Sequence, residues 1–123
     1  MKTLKVKILG TELEAPLLNP ETAKKYDEGF RQCISRIQNA DGNTESGAET
    51  LKEQCNAVID YIDGVFGGGA SKKVFGEETD LLTCLDAFEE MAKLYEEQVT
   101  PLVRERAASL REFLGTDKKD DTV

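Results

Sequence analysis

VIDYIDGVFGGGASKKVFGEETDLLTCLDAFEEM, residues 58–91, contains a helix, an interruption and a second helix. Val58, Ile59, Ile62 and Phe66 recur at helical spacing, and Leu81, Leu82, Leu85, Phe88 and Met91 do so again. Between them lie Gly64, Gly67, Gly68, Gly69 and Gly76, half of the chain's ten glycines. Glycine reaches backbone conformations closed to other residues, so the run ends the first helix near Gly67 and lets the chain turn at Gly68 and Gly69. The sequence predicts one helical turn over 70–75, capped by Ser71 and closed by Gly76, with Val74 and Phe75 packing down. A new helix then starts at a cap provided by Thr79 or Asp80.

Toward the N-terminus, the helix ending at Phe66 begins near residue 47, with Leu51 and Cys55 extending its stripe and Glu53, Asp60 and Asp63 mostly outside. The preceding DGNTESG, residues 41–47, is polar and turn-forming, and reads as a loop. Asn19-Pro20-Glu21 opens a helix to about residue 39: a capping side chain, a residue preset for the first turn, and a carboxylate at the positive end of the dipole. Its stripe is Ala23, Tyr26, Phe30, Cys33, Ile34 and Ile37. Residues 3–17 alternate apolar and polar around Gly10-Thr11 and read as a β-hairpin. With those two residues at the centre of a type II′ turn, Ile8 faces Leu13, Val6 faces Ala15, Leu4 faces Leu17, and Lys7 faces Glu14. A lone hairpin is unstable, so its apolar face needs helices or another chain to lie on.

Toward the C-terminus the stripe runs on through Ala92, Tyr95 and Val99 to Thr100-Pro101. Proline removes a helix hydrogen bond, so the helix bends or restarts there. Leu102, Val103, Ala107, Leu110, Phe113 and Leu114 carry the pattern on, with Arg104, Arg106 and Arg111 among them. A straight helix over 80–114 would be about 52 Å long at about 1.5 Å per residue. That exceeds the roughly 35 Å diameter of a compact chain of this size. The last turns therefore bend back or project, and a projecting apolar stripe needs a homo-oligomer or a partner helix to cover it. The expected architecture is mainly α: an N-terminal two-stranded hairpin on a bundle of three to four helices, the last long and kinked or broken near Pro101. It forms a single domain over 1–115, with a disordered tail over 116–123.

Composition narrows the chemistry. The 123 residues carry a net charge of −8 and no histidine. Ser-His and Cys-His nucleophile pairs and most zinc sites are thereby excluded. An acidic surface repels nucleic acid and anionic lipid, so neither is an expected partner. MKTLKVKILGTELE is too interrupted by charge for a signal peptide or a membrane span, which points to the cytoplasm. Cys33, Cys55 and Cys84 are odd in number and widely spaced, and read as small core residues. ADGNTESGAET lacks the glutamate that ends a calcium loop. No catalytic residue, cofactor or metal site is expected.

The glycine run next to Lys72 and Lys73 is the remaining candidate for ligand chemistry. A phosphate loop follows a strand and places lysine directly after glycine; here the run follows a helix, and Ala70 and Ser71 intervene. A less specific anion site remains as an alternative, built from Gly68, Gly69, Ser71, Lys72 and Lys73 around the start of the short helix. It would make the chain a regulator that binds an anion or nucleotide through residues 67–73.

The hairpin, the Asn-Pro-Glu-Thr helix start and above all residues 58–91 resemble small phage and prophage proteins of Gram-positive bacteria, from the tail-gene region and of the tail assembly chaperone type. The shared features are an Ile-Asp-x-Val-Phe-Gly helix end, a glycine-rich step, a second Val-Phe-Gly and an acidic Leu-x-x-Cys-Leu-x-Ala-Phe helix. The resemblance implies no enzymatic activity and no cofactor. It implies transient binding to tape-measure or tail-tube proteins in the bacterial cytoplasm, as an oligomer; the alternative within the same setting is a structural component of the virion tail. The candidate partner surface is Phe66, Val74 and Phe75 with the acidic helix, together with Leu110 and Phe113.

Overall fold

The computed structural model describes residues 1–43 and 46–114. The expected disordered tail lies outside them. The elements are β1 (Leu4–Ile8), β2 (Thr11–Ala15), α1 (Pro20–Asn43), α2 (Gly47–Phe66), α3 (Ala70–Phe75), α4 (Leu81–Ala92), a π-helical turn (Tyr95–Val99) and α5 (Thr100–Phe113). This is the expected mainly α architecture with an N-terminal hairpin. The chain divides into two compact units, one comprising Met1–Ala92 and the other beginning at Lys93.

The hairpin pairs Leu4 with Ala15, Lys5 with Glu14, Val6 with Leu13, Lys7 with Glu12 and Ile8 with Thr11. The expected register is therefore corrected. The turn is centred on Leu9 and Gly10, at φ 50° and 79°, two positive values that belong to a type I′ turn. Moving the centre by one residue shifts the register by two, and side chains alternate with period two, so the faces survive the correction. Val6, Ile8, Leu13 and Ala15 are buried on one face, while Lys5 and Glu12 approach to 3.9 Å on the other. Leucine at positive φ costs about 1–2 kcal/mol. The Leu9 N–H donates to Glu90 Oε1 at 2.8 Å, which ties the strained turn to α4.

Helix α2 is the centre of the first unit, packing against α1, α3, α4 and β2, while β1 lies on α4. The hairpin thus finds its cover on helices. On α2, Gln54, Ala57, Val58, Tyr61, Ile62 and Val65 are buried. Leu51, read as part of that stripe, is 50% exposed, and so is Leu82 at 76%. Gln54 lies inward instead, its Nε2 donating to the Ile37 carbonyl at 3.1 Å. Aromatic rings fill the space among α1, α2 and α4, with Phe30 stacked on Phe88 at 5.3 Å and Tyr61 tilted against Tyr26 at 5.9 Å. The Tyr26 hydroxyl donates to the Met91 carbonyl at 2.5 Å. Cys33 and Cys84 are core residues and Cys55 is half-buried, all three as free thiols.

Helix starts follow the expected caps. Asn19 Oδ1 accepts from the Glu21 N–H at 3.0 Å. Asp80, rather than Thr79, caps α4, accepting from the Thr83 N–H at 2.9 Å. The polar stretch read as a loop from residue 41 begins as helix, because α1 continues to Asn43; residues 44 and 45 of that stretch lie outside the described ones. In the second unit the irregularity precedes Pro101. The Thr100 N–H donates to the Tyr95 carbonyl, five residues back. Widening the turn relieves the clash that a proline ring makes with the carbonyl four residues earlier, so the chain stays helical through Thr100.

Candidate functional site

The glycine joint is held by one carboxylate. Asp63, in the last turn of α2, accepts the Ser71 N–H at 2.8 Å through Oδ1 and the Ser71 hydroxyl at 3.0 Å through Oδ2. Ser71 is therefore not the cap of α3. It is a buried residue within the helix, and Gly69 holds the cap position at φ 91° and ψ −8° with no side chain to offer. Gly67 also departs from the expected left-handed helical geometry. At φ 103° and ψ 158° it is extended with a positive φ, and its N–H donates to the Asp63 carbonyl at 2.8 Å. Gly76, at φ 80°, closes α3 by donating to the Lys72 carbonyl at 2.8 Å.

The electrostatics of the joint follow from this geometry. The first free N–H groups of a helix attract negative charge, and at α3 the chain's own Asp63 supplies it. Lys72 pairs with Glu77 at 3.2 Å, both side chains mostly exposed. A cleft of about 260 Å³ beside Ser71 and Lys72 is also bordered by Glu77 and Glu78. Of the anion-site candidates, Gly68, Gly69, Lys72 and Lys73 are exposed at the surface and Ser71 is turned inward toward Asp63. Phe66, Val74 and Phe75 are half-buried around the same joint.

Sequence reading missed Arg36. From α1 it reaches two acids on one face of α2: a forked contact to Glu53 at 2.8 and 3.2 Å, and a bond to Asp60 at 2.7 Å. The signal was available, because Glu53 and Asp60 are two turns apart and so share a face; both were read only as outward-facing. The guanidinium holds the Glu53 carboxyl below its ordinary range, and the two acids push Arg36 further above neutrality. Two clefts of about 430 and 390 Å³ flank this brace between α1 and α2. Exposed pairs of this kind contribute roughly 0.2–1 kcal/mol each.

The other perturbed groups are held in the form they already have. Burial pushes the Cys33 thiol up to about 11 and the Cys84 thiol up to about 12. Burial also raises the Tyr26 and Tyr61 phenols. Hydrogen bonds from Thr83 lower the Asp80 carboxyl. Every one of these shifts moves away from neutral pH, whereas acid–base chemistry needs groups brought toward it. Among the described residues, no three His, Cys, Asp or Glu side chains converge on a metal-sized site, and no helix is long and apolar enough to cross a membrane.

The remaining candidates lie on α5, which buries none of its residues. Leu110 is 55% exposed and Phe113 83%, and Leu102, Val103 and Leu114 are exposed with them. Three to four apolar residues per two turns is the pattern of a helix face that packs on something. No curated protein and no solved structure matches the chain. A family model does match, over residues 9–119, a span that takes in β2 and every helix, and the chain accordingly belongs to the family of unknown function DUF6673.

Proposed function

We propose that the chain is a non-enzymatic interaction module, a phage or prophage tail assembly chaperone or accessory protein that binds tape-measure or tail-tube proteins in the bacterial cytoplasm. The observation that carries this reading is α5: a helix of fourteen residues with no residue buried and four large apolar side chains exposed, joined by Leu114 just beyond its end. A short isolated helix is marginal in water, and an exposed apolar face of this size marks a surface that a partner covers. The half-buried Phe66, Val74 and Phe75 at the joint of the first unit add a smaller apolar surface. The resemblance of residues 58–91 to tail-region proteins supports the class of partner.

Co-expression with the tape-measure or tail-tube protein of the same phage or prophage tests the reading. The two chains are expected to elute together at low and moderate salt, and Leu110→Ser with Phe113→Ser is expected to separate them. Separate elution of the unmodified chains at both salt concentrations refutes it.

A further inference from the structure

Two of the three thiols meet where α2 packs on α4. Cys84, on α4, is 0% exposed, and the Cys55 thiol of α2 is its hydrogen-bonding neighbour across the helix contact. The Thr79 hydroxyl stands 3.8 Å from the Cys84 sulfur and completes the cluster. Cys55 is only half-buried. One sulfur therefore meets solvent, and the other lies behind it. Cys33, on α1, is buried beside Arg36 and Asp60 instead. The twenty-eight residues between Cys55 and Cys84 contain α3 and the whole glycine joint, so a bond between these sulfurs would clamp both sides of the joint.

An accessible sulfur with a second thiol in contact behind it is the arrangement of a reversible oxidation site, because the second thiol can resolve the first oxidation product. We infer that Cys55 and Cys84 form such a site, which takes a peroxide at Cys55 and closes a disulfide between α2 and α4. In the first step the Cys55 sulfur attacks one peroxide oxygen, the O–O bond breaks, and the thiol proton leaves with the departing hydroxide as water. Cys55 is then a sulfenic acid. In the second step the Cys84 sulfur displaces the hydroxyl from the Cys55 sulfur: the S–S bond forms, the S–O bond breaks, and the Cys84 proton leaves in a second water. Two electrons pass from the two thiols to the peroxide. Burial pushes Cys84 up to about 12, which slows the closing step. Contact offsets this by holding the reacting sulfurs together. In a cytoplasmic chain the bridge would be transient, since the thiol pool of that compartment reduces it. The inference is independent of the interaction reading above.

The experiment exposes the folded full chain to millimolar hydrogen peroxide, removes the oxidant with catalase, then unfolds the chain and alkylates the remaining thiols. Free thiols are expected to fall from three to one, with Cys33 alone alkylated and a cross-link between Cys55 and Cys84 in the tryptic digest. Dithiothreitol should restore all three. A bridge that closes a loop of this length should raise Tm by about 10 °C. Cys55→Ala, at a half-buried position, should leave the circular dichroism unchanged and abolish both the cross-link and the shift in Tm. Cys84→Ala removes the resolving thiol, so Cys55 should instead run on to the sulfinic acid. In the unmodified chain, a sulfinic acid at Cys55 with Cys84 still free, a disulfide-linked dimer, a bridge to Cys33, or three free thiols after prolonged exposure would each overturn the inference. So would a bridged chain that melts lower, since sulfurs already in contact should join without distorting the helices.

Discussion

Replacing Asp63 by alanine removes the link between α2 and α3 at its strongest point. Its carboxylate accepts two hydrogen bonds from Ser71, at 2.8 and 3.0 Å, and Ser71 is only 6% exposed. Losing a capping side chain costs about 0.5–2 kcal/mol. Hydrogen bonds to charged groups contribute about 1.5–3 kcal/mol each when buried, less where one partner is half-exposed as Asp63 is. Leaving the Ser71 hydroxyl buried without its acceptor adds to the loss. Asp63→Ala should therefore destabilise the fold by about 2 kcal/mol, lowering Tm by about 8 °C for a chain of this size. Asp63→Asn keeps an acceptor oxygen and should cost about half as much. Lys72→Ala with Lys73→Ala, at exposed positions, should cost less than about 0.5 kcal/mol. Urea titrations followed by ellipticity rank the three variants. If Asp63→Ala costs no more than the double lysine variant, the carboxylate does not hold the joint.

At the crossing of α1 and α2, a Cβ on Gly29 would lie 2.6 Å from Tyr61 Cδ1, whereas one on Gly64 would meet nothing within 4 Å. Alanine gains about 1 kcal/mol of helix propensity at either site, but overpacking costs about 1–3 kcal/mol. Gly29→Ala should thus be destabilising by about 1 kcal/mol and Gly64→Ala stabilising by a similar amount; a stabilising Gly29→Ala in thermal melts would show that the helices do not approach this closely. In alkali, the unfolded chain loses its thiol protons near the ordinary value of 9.0, while Cys33 and Cys84 keep theirs to about 11 and about 12. Stability contributed by the neutral thiols is therefore full below pH 9 and is lost as pH rises from 9 toward 12, so the urea midpoint should fall over that range, and less steeply in Cys84→Ala. Inorganic phosphate should produce no saturable rise in Tm, because Asp63 already satisfies the start of α3; a saturable rise abolished by Lys72→Ala with Lys73→Ala would show that an anion binds there.

Elements set by local chemistry were legible in the sequence. Asn19 and Asp80 cap because their side chains reach nearby N–H groups in any context, and the glycines stop α2 and α3 because few other residues reach those angles. What the sequence left open depended on a neighbour. The turn centre was placed on Gly10-Thr11 because glycine favours the first position of a II′ turn; it lies one residue earlier because Glu90, on a helix eighty-one residues away, holds the Leu9 N–H. Leu51 and Gln54 exchange roles for a similar reason. Periodicity counts apolar residues, but the Ile37 carbonyl on α1 offers Gln54 an acceptor. The same limit hid Arg36, whose acids are on another helix. The exposed face of α5 was legible as a stripe, while its exposure was not, since a stripe reads the same whether covered or bare.

The polar groups around the glycine joint, the hairpin turn and the α1–α2 crossing are used by the fold itself. Asp63 binds Ser71, Glu90 binds Leu9, Glu53 and Asp60 bind Arg36, and Lys72 meets Glu77. A ligand at any of these places would have to displace an existing partner, which sets the cost of an internal hydrogen bond against each new contact. On α5 the balance is reversed. Covering Leu110 and Phe113 removes apolar surface from water at roughly 25 cal/mol per Å² and breaks no described hydrogen bond. The free-energy gradient for association therefore points to the helix face rather than to the glycine joint. The joint's carboxylate and one-turn helix fix the course of the chain between α2 and α4.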